Sequence, residues 1–156
     1  SKLASFGRLF LFQKGIMKKF NYFREGVDKP VNGEIFVFGS NLAGIHGRGA
    51  ARTALDEYGA EWKNPLGLQG SSYAIPTKNA IIKPLPIEAE KEFIKHFIAF
   101  AKANPDLNFF VTRVGCGLAN FDDKVIAPLF KKAPSNCRFD YFWKKYLEAD
   151  NQRKSE

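Results

Sequence analysis

The sequence predicts an α/β fold, with strands and helices alternating around a layered sheet. Three observations carry this. An apolar, β-prone run, EIFVF at 34–38, leads into a glycine-rich stretch, GSNLAGIHGRGAARTA at 39–54, that turns into helical spacing. A second strand-like run, LNFFVTRVG at 107–115, leads into another glycine turn, GCGLANFDD, ahead of a second helix start. Between them, Phe93, Ile94, Phe97, Ile98 and Ala101 fall on one face of a helix over 87–103.

Taken in order, Met17 is the only methionine, and MKKFNYF reads as the start of the domain. Residues 1–16 hold no acidic residue and no A-x-A cleavage site. They read as an expression remnant, an upstream extension, or a basic targeting or docking segment. The fold is assigned to 17–147, with 148–156 a charged tail. After the strand at 34–38, Ala50, Ala51, Ala54, Leu55 and Tyr58 recur at helical spacing, and Gly59 stands where a helix C-terminal glycine would. NPLGLQGSS at 64–72 reads as a loop and SYAIPT at 72–77 as a short strand. Two prolines keep NAIIKPLPIE from being regular helix. The long helix ends at Asn104-Pro105. Asp122 is placed to cap a helix from about Asp123, which Pro128 kinks or shortens. The aromatic run CRFDYFW at 137–143 reads as a last strand.

A chain of 156 residues suits one domain with its own core, and sixteen phenylalanines predict that this core is aromatic-rich. No apolar run approaches the ~20 residues of a membrane-spanning helix, so no membrane partner is expected. Cys116 and Cys137 lack CxxC spacing and lie far in sequence from His46 and His96. That argues against a disulfide framework and against a zinc site, and favours reduced thiols in a cytoplasmic setting. The net charge of +8 is uneven: residues 1–29 carry +5, residues 131–156 carry +3, and 30–130 are neutral. Basic ends can engage nucleic acid; solvated ends are the simpler account.

In α/β sheets ligands sit beyond the carboxyl ends of the strands, which selects three loops: 39–49, 76–85 and 115–121. In the first, four glycines precede a helix N-terminus, a pairing that suits a phosphate or a tight structural turn. Asn41 fits a sugar hydroxyl or its own turn. His46 and Arg48 fit phosphate contacts or solvent exposure. In the second, Lys78 is a point charge for phosphate, an amine nucleophile toward a sugar carbon, or an exposed lysine. In the third, Gly115 and Gly117 flank Cys116, a nucleophile or a small buried thiol. Asp122 and Asp123 fit a metal, a catalytic base or helix capping. Two glycine turns in one small domain fit a ligand with two phosphates.

Three segments then resemble the macro domain family, an ADP-ribose-binding α/β/α module. FGSNLAGIHGRGAARTALDEYGA is similar to its first ligand loop and helix. SYAIPTKNAIIKPLPIEAEKEFIKHF is similar to the strand, Thr-Lys segment and helix of the branch that holds terminal ADP-ribose protein glycohydrolases and DNA ADP-ribosyl glycohydrolases. FFVTRVGCGLANFDDKVIAPLF resembles that branch's GCGL loop and helix. The resemblance covers about 35–130. It implies a three-layer fold with a mixed, mostly parallel central sheet, and ADP-ribose or an ADP-ribosylated macromolecule as partner, with no metal or cofactor. The implied contacts are Gly39, Ser40, Asn41, Gly44, His46, Gly47, Arg48, Gly49 and Ala50, then Thr77, then Gly115, Cys116, Gly117, Leu118, Ala119, Asn120 and Phe121. Asn41 would meet the distal ribose. Lys78 would attack its anomeric carbon, forming a Schiff-base-type adduct. The branch places a catalytic acid directly after GCGL, where this chain has Ala119; Asp122 or Asp123 would have to replace it. Three functions follow: an ADP-ribosyl hydrolase, a non-catalytic ADP-ribose reader, or a nucleic-acid-associated protein using its basic ends.

Overall fold

The computed structural model describes residues 20–149. The 1–16 extension and residues 150–156 of the charged tail lie outside them. Six strands form one sheet: β1 (Asn21–Phe23), β2 (Glu34–Asn41), β3 (Gly67–Gln69), β4 (Ser72–Lys78), β5 (Asn108–Val111) and β6 (Cys137–Asp140). Their order is β1-β6-β5-β2-β4-β3. Every pairing is parallel except that of β3 with β4.

The central strand β2 explains the layering. Its side chains alternate between faces. Ile35 and Val37 join the core under helix α2 (Ile87–Ala103), while Phe36 and Phe38 join the core under helix α1 (Gly49–Glu57). Short helices α3 (Asp123–Ile126) and α4 (Lys144–Leu147) lie on the α2 side, adding Ile126 and Leu147 to that core. Buried on both faces, β2 reads as a continuous apolar run, as the interior strand of a parallel sheet should. The fold is the α/β three-layer arrangement expected from the sequence.

Several elements differ from expectation. The run at 107–115 leaves the sheet after Val111, where Thr112 donates both its backbone N–H, at 3.2 Å, and its hydroxyl, at 2.7 Å, to the Val37 carbonyl. The last strand stops at Asp140, whose carboxylate accepts from Phe142 N at 2.9 Å and starts a 3₁₀ turn, Tyr141–Trp143. The expected loop at 64–72 contains the edge strand β3, and β1 was not anticipated. Asp122 caps α3, accepting from Lys124 N at 2.9 Å, and Pro128 opens a 3₁₀ turn (Ala127–Phe130) that ends it. The first and last elements meet: β1 pairs with β6, and Phe20 shares a core with Trp143 and Leu147.

Candidate ligand-binding site

The strand order reverses direction at β2, so the loops after β2 and β5 diverge on either side of one crevice. A cleft of about 860 Å³ opens there. Of the residues singled out from the sequence, Gly39, Ser40, Asn41, Gly47, Arg48, Gly49, Ala50, Thr77, Lys78, Gly115, Cys116, Gly117, Leu118 and Ala119 line it. Gly44, His46, Asn120, Phe121, Asp122 and Asp123 do not.

The floor is tight where the strands end. A β-carbon on Gly39 would lie 3.2 Å from Thr77 Cγ2 and 3.3 Å from Gly115 N. Thr77, itself buried, donates its hydroxyl to the Ser40 carbonyl at 3.1 Å, tying β4 to the start of the first loop. Above this floor α1 begins at Gly49 with no side-chain cap and no acidic residue in its first turn. Its first N–H groups are therefore available to an anion at the helix's positive end. Among the cleft residues on this side, Arg48 and Lys78 are the charged ones. Lys78 makes no ion pair or side-chain hydrogen bond among the described residues.

Asn41 holds its own loop. Its amide donates to the Ile45 carbonyl at 2.8 Å and accepts from Ile45 N at 3.0 Å. The thiol of Cys116 donates toward the Val114 carbonyl at 3.6 Å. Burial, reinforced by the Asp123 charge, pushes that thiol far above its usual range, so it stays protonated and unreactive.

The residues outside the cleft have structural roles. His46, which the sequence left between phosphate contact and solvent, is fully buried. Its Nε2 faces the Asn64 carbonyl at 3.1 Å and Gln69 Oε1 at 3.2 Å. Gly44 packs against Lys63, leaving no room for a side chain. Asp123 accepts from Arg113 Nε at 2.8 Å and Arg113 NH2 at 2.6 Å, and from Trp143 Nε1 at 2.6 Å. Burial alone would raise this carboxyl, but these bonds outweigh it and hold it below the ordinary carboxylate range. Asp122 is committed to capping. Neither carboxylate faces the cleft.

The far end of the cleft was not read from the sequence. Phe23, Phe36 and Phe110 form an aromatic wall, with Phe23 stacked on Phe110 at 3.7 Å. Arg138 lies over Phe110 at 4.9 Å and is pinned by two 2.7 Å bonds to Glu34. Glu25, Asp28 and Asp140 add acidity at this end, and burial raises the Asp140 carboxyl. The only signal in the sequence was aromatic residues in strands, which is indistinguishable from core.

No family model and no curated protein matches the chain. Solved structures do share its fold. A Bacteroides thetaiotaomicron protein described as being of unknown function is similar with a TM-score of 0.55 at 16% identity, over 78% of this chain and 98% of that one. A further Bacteroides thetaiotaomicron structure gives 0.54 at 16% identity, over 78% and 99%. Thermosipho africanus DarTG, solved in complex with ADP-ribose, gives 0.52 at 14% identity, over 70% of this chain. This chain spans 38% of DarTG's length. The likeness establishes the class of fold: α/β, macro-domain-like, with a mixed, mostly parallel sheet. No helix among the described residues is long and apolar enough to cross a membrane.

Proposed function

We propose that the cleft binds ADP-ribose. The observation that carries this reading is the cleft's division along its length. An aromatic wall with acidic groups stands at the β1 end, uncapped helix N–H groups and two glycine loops at the centre, and Lys78 at the β4 end. Four strand spacings of about 4.8 Å separate β1 from β4, roughly 19 Å. That arrangement suits a base, a diphosphate and a second sugar laid across the sheet. The ADP-ribose carried by DarTG, which shares the fold, supports the same ligand class.

The test is thermal unfolding with ADP-ribose. Ligand at a hundred times its dissociation constant adds about 2.7 kcal/mol to stability. For a domain of this size the melting temperature should rise by roughly 5–10 °C. No shift at millimolar ADP-ribose rejects the reading.

Lys78 favours a second reading, hydrolysis. Its ammonium has no partner among the described residues, and Lys78 lines the cleft where the distal ribose would lie, so its amine can attack the anomeric carbon once deprotonated. The acid that would assist is missing: Ala119 lines the cleft, and Asp122 and Asp123 are occupied elsewhere. A missing general acid costs about 10²–10⁴ in rate, so slow release or pure binding is the expected behaviour. Incubation with ADP-ribosylated protein and DNA separates the two. Release by the wild type that Lys78→Ala abolishes, with ADP-ribose binding retained, supports hydrolysis; release unaffected by Lys78→Ala excludes the amine mechanism.

A further inference from the structure

Three exposed apolar side chains stand at the rim of the cleft, one from each ligand-facing loop. Ile45 is 43% exposed, Ile82 42% and Leu118 59%, and all three line the cleft. No other large, exposed apolar side chain among the described residues does so. Leu118 reaches toward the start of α1: a β-carbon on Gly49 would lie 3.4 Å from its Cδ1. Aliphatic groups gathered from three separate loops around one opening, and covered by nothing, suit an apolar occupant.

Ile82 is also strained. Its φ is +64°, in the left-handed region where a β-branched side chain crowds its own backbone. The turn that holds it there is well built. Asn79 Oδ1 accepts from Ile81 N and Lys83 N, each at 3.0 Å. Ile82 N donates to the Asn79 carbonyl at 3.1 Å, Asn79 N donates to the Lys83 carbonyl at 2.7 Å, and Lys78 bridges to Pro84. The turn thus hangs directly from Lys78 and fixes Ile82 beside it. Glycine or asparagine would make the same turn without strain. Strain of this kind at an exposed position is a mark of a ligand clamp.

We propose that Ile45, Ile82 and Leu118 form an apolar lip. It grips an uncharged, apolar substituent on the anomeric carbon of the ligand's distal ribose, and Ile82 is the specificity-determining residue. The inference rests on the ADP-ribose reading, which puts that carbon beside Lys78. It adds that the cleft does not end at the ribose: the ligand continues past it into a hydrophobic mouth.

Calorimetry with three compounds tests it: ADP-ribose, and two neutral analogues with a carbon-linked phenyl or dihydroxypropyl group on that anomeric carbon. The carbon linkage cannot be hydrolysed, so the wild type can be used. The phenyl analogue should bind wild type roughly tenfold more tightly than the dihydroxypropyl analogue. In Ile82→Asn and Ile82→Gly this preference, the ratio of the two analogue affinities, should shrink to within about threefold. Both variants should also melt roughly 2–5 °C higher, because the turn is relaxed. Equal binding of the two analogues to wild type, or an undiminished preference in both variants, overturns the lip alone. A lower melting temperature in both variants makes Ile82 a structural residue and overturns it too. If none of the three compounds binds, the ADP-ribose reading falls and takes the lip with it.

Discussion

Glu90 lies one turn into α2, fully buried, and neither carboxylate oxygen has a hydrogen-bond partner among the described residues. Burial raises its pKa from 4.5 to about 8, so the folded protein holds it neutral at physiological pH. The native state therefore keeps a proton that the unfolded chain releases above pH 4.5. Its contribution to stability is complete below that value and is lost as pH rises through about 8. Between the two, stability falls at up to about 1.4 kcal/mol per pH unit. Glu90→Gln removes this dependence. Its melting temperature should match the wild type's near pH 5 and exceed it by several degrees at pH 8; an offset that stays constant with pH would refute the assignment. Asp123 is the opposite case, an acid held ionised by Arg113 and Trp143. No local pattern separates these two carboxyls from catalytic ones, because the difference lies in partners 10 and 20 residues from Asp123 and in a core around Glu90.

At the scale of the element, α1 is a nine-residue helix with a bare positive end. Its sequence omits what a purely structural helix would carry there, a capping side chain or an acid in the first turn. Ala50→Asp should supply one. The substitution is expected to stabilise the free protein by about 0.3–1 kcal/mol. It should also weaken ADP-ribose binding at least tenfold through repulsion of the diphosphate. If both stability and affinity rise, the phosphates do not lie at this helix. Element identity was legible where periodicity was long: the 87–103 helix has the predicted bounds, and β2 and β4 differ from prediction only at their ends. Elements of three residues were not. Asn21–Phe23 and Gly67–Gln69 are strands only because β6 and β4 offer them an edge, information that no local pattern contains.

At the scale of the whole molecule, the sheet keeps two unlike faces. The face under α2 is closed by a long helix and the C-terminal turns. The face under α1 holds a smaller core, and Phe23 and Phe110, buried in it with the Arg138 guanidinium over their rings, also line one wall of the cleft. The central part of the site was legible because glycine turns after strands have a direct chemical meaning. Its two ends were not. The aromatic end is made of buried core residues, which no sequence pattern marks as cleft lining, and Ile82 looks like an ordinary loop residue until its backbone conformation is known. His46 was misplaced for a related reason: only the return of 64–69 over the first loop encloses it, through Asn64 and Gln69.

The meeting of the first and last elements has a practical outcome. Lys144 Nζ lies 6.0 Å from the centre of the Tyr22 ring, and Phe20 and Leu147 share one core, so the backbone of the described residues nearly closes into a ring. A domain with that geometry can be carried as an insertion within a surface loop of another protein without forcing the host's flanking segments apart. The cleft runs from β1 to β4, so its aromatic end would lie close to the point of attachment, within reach of whatever the host brings to it.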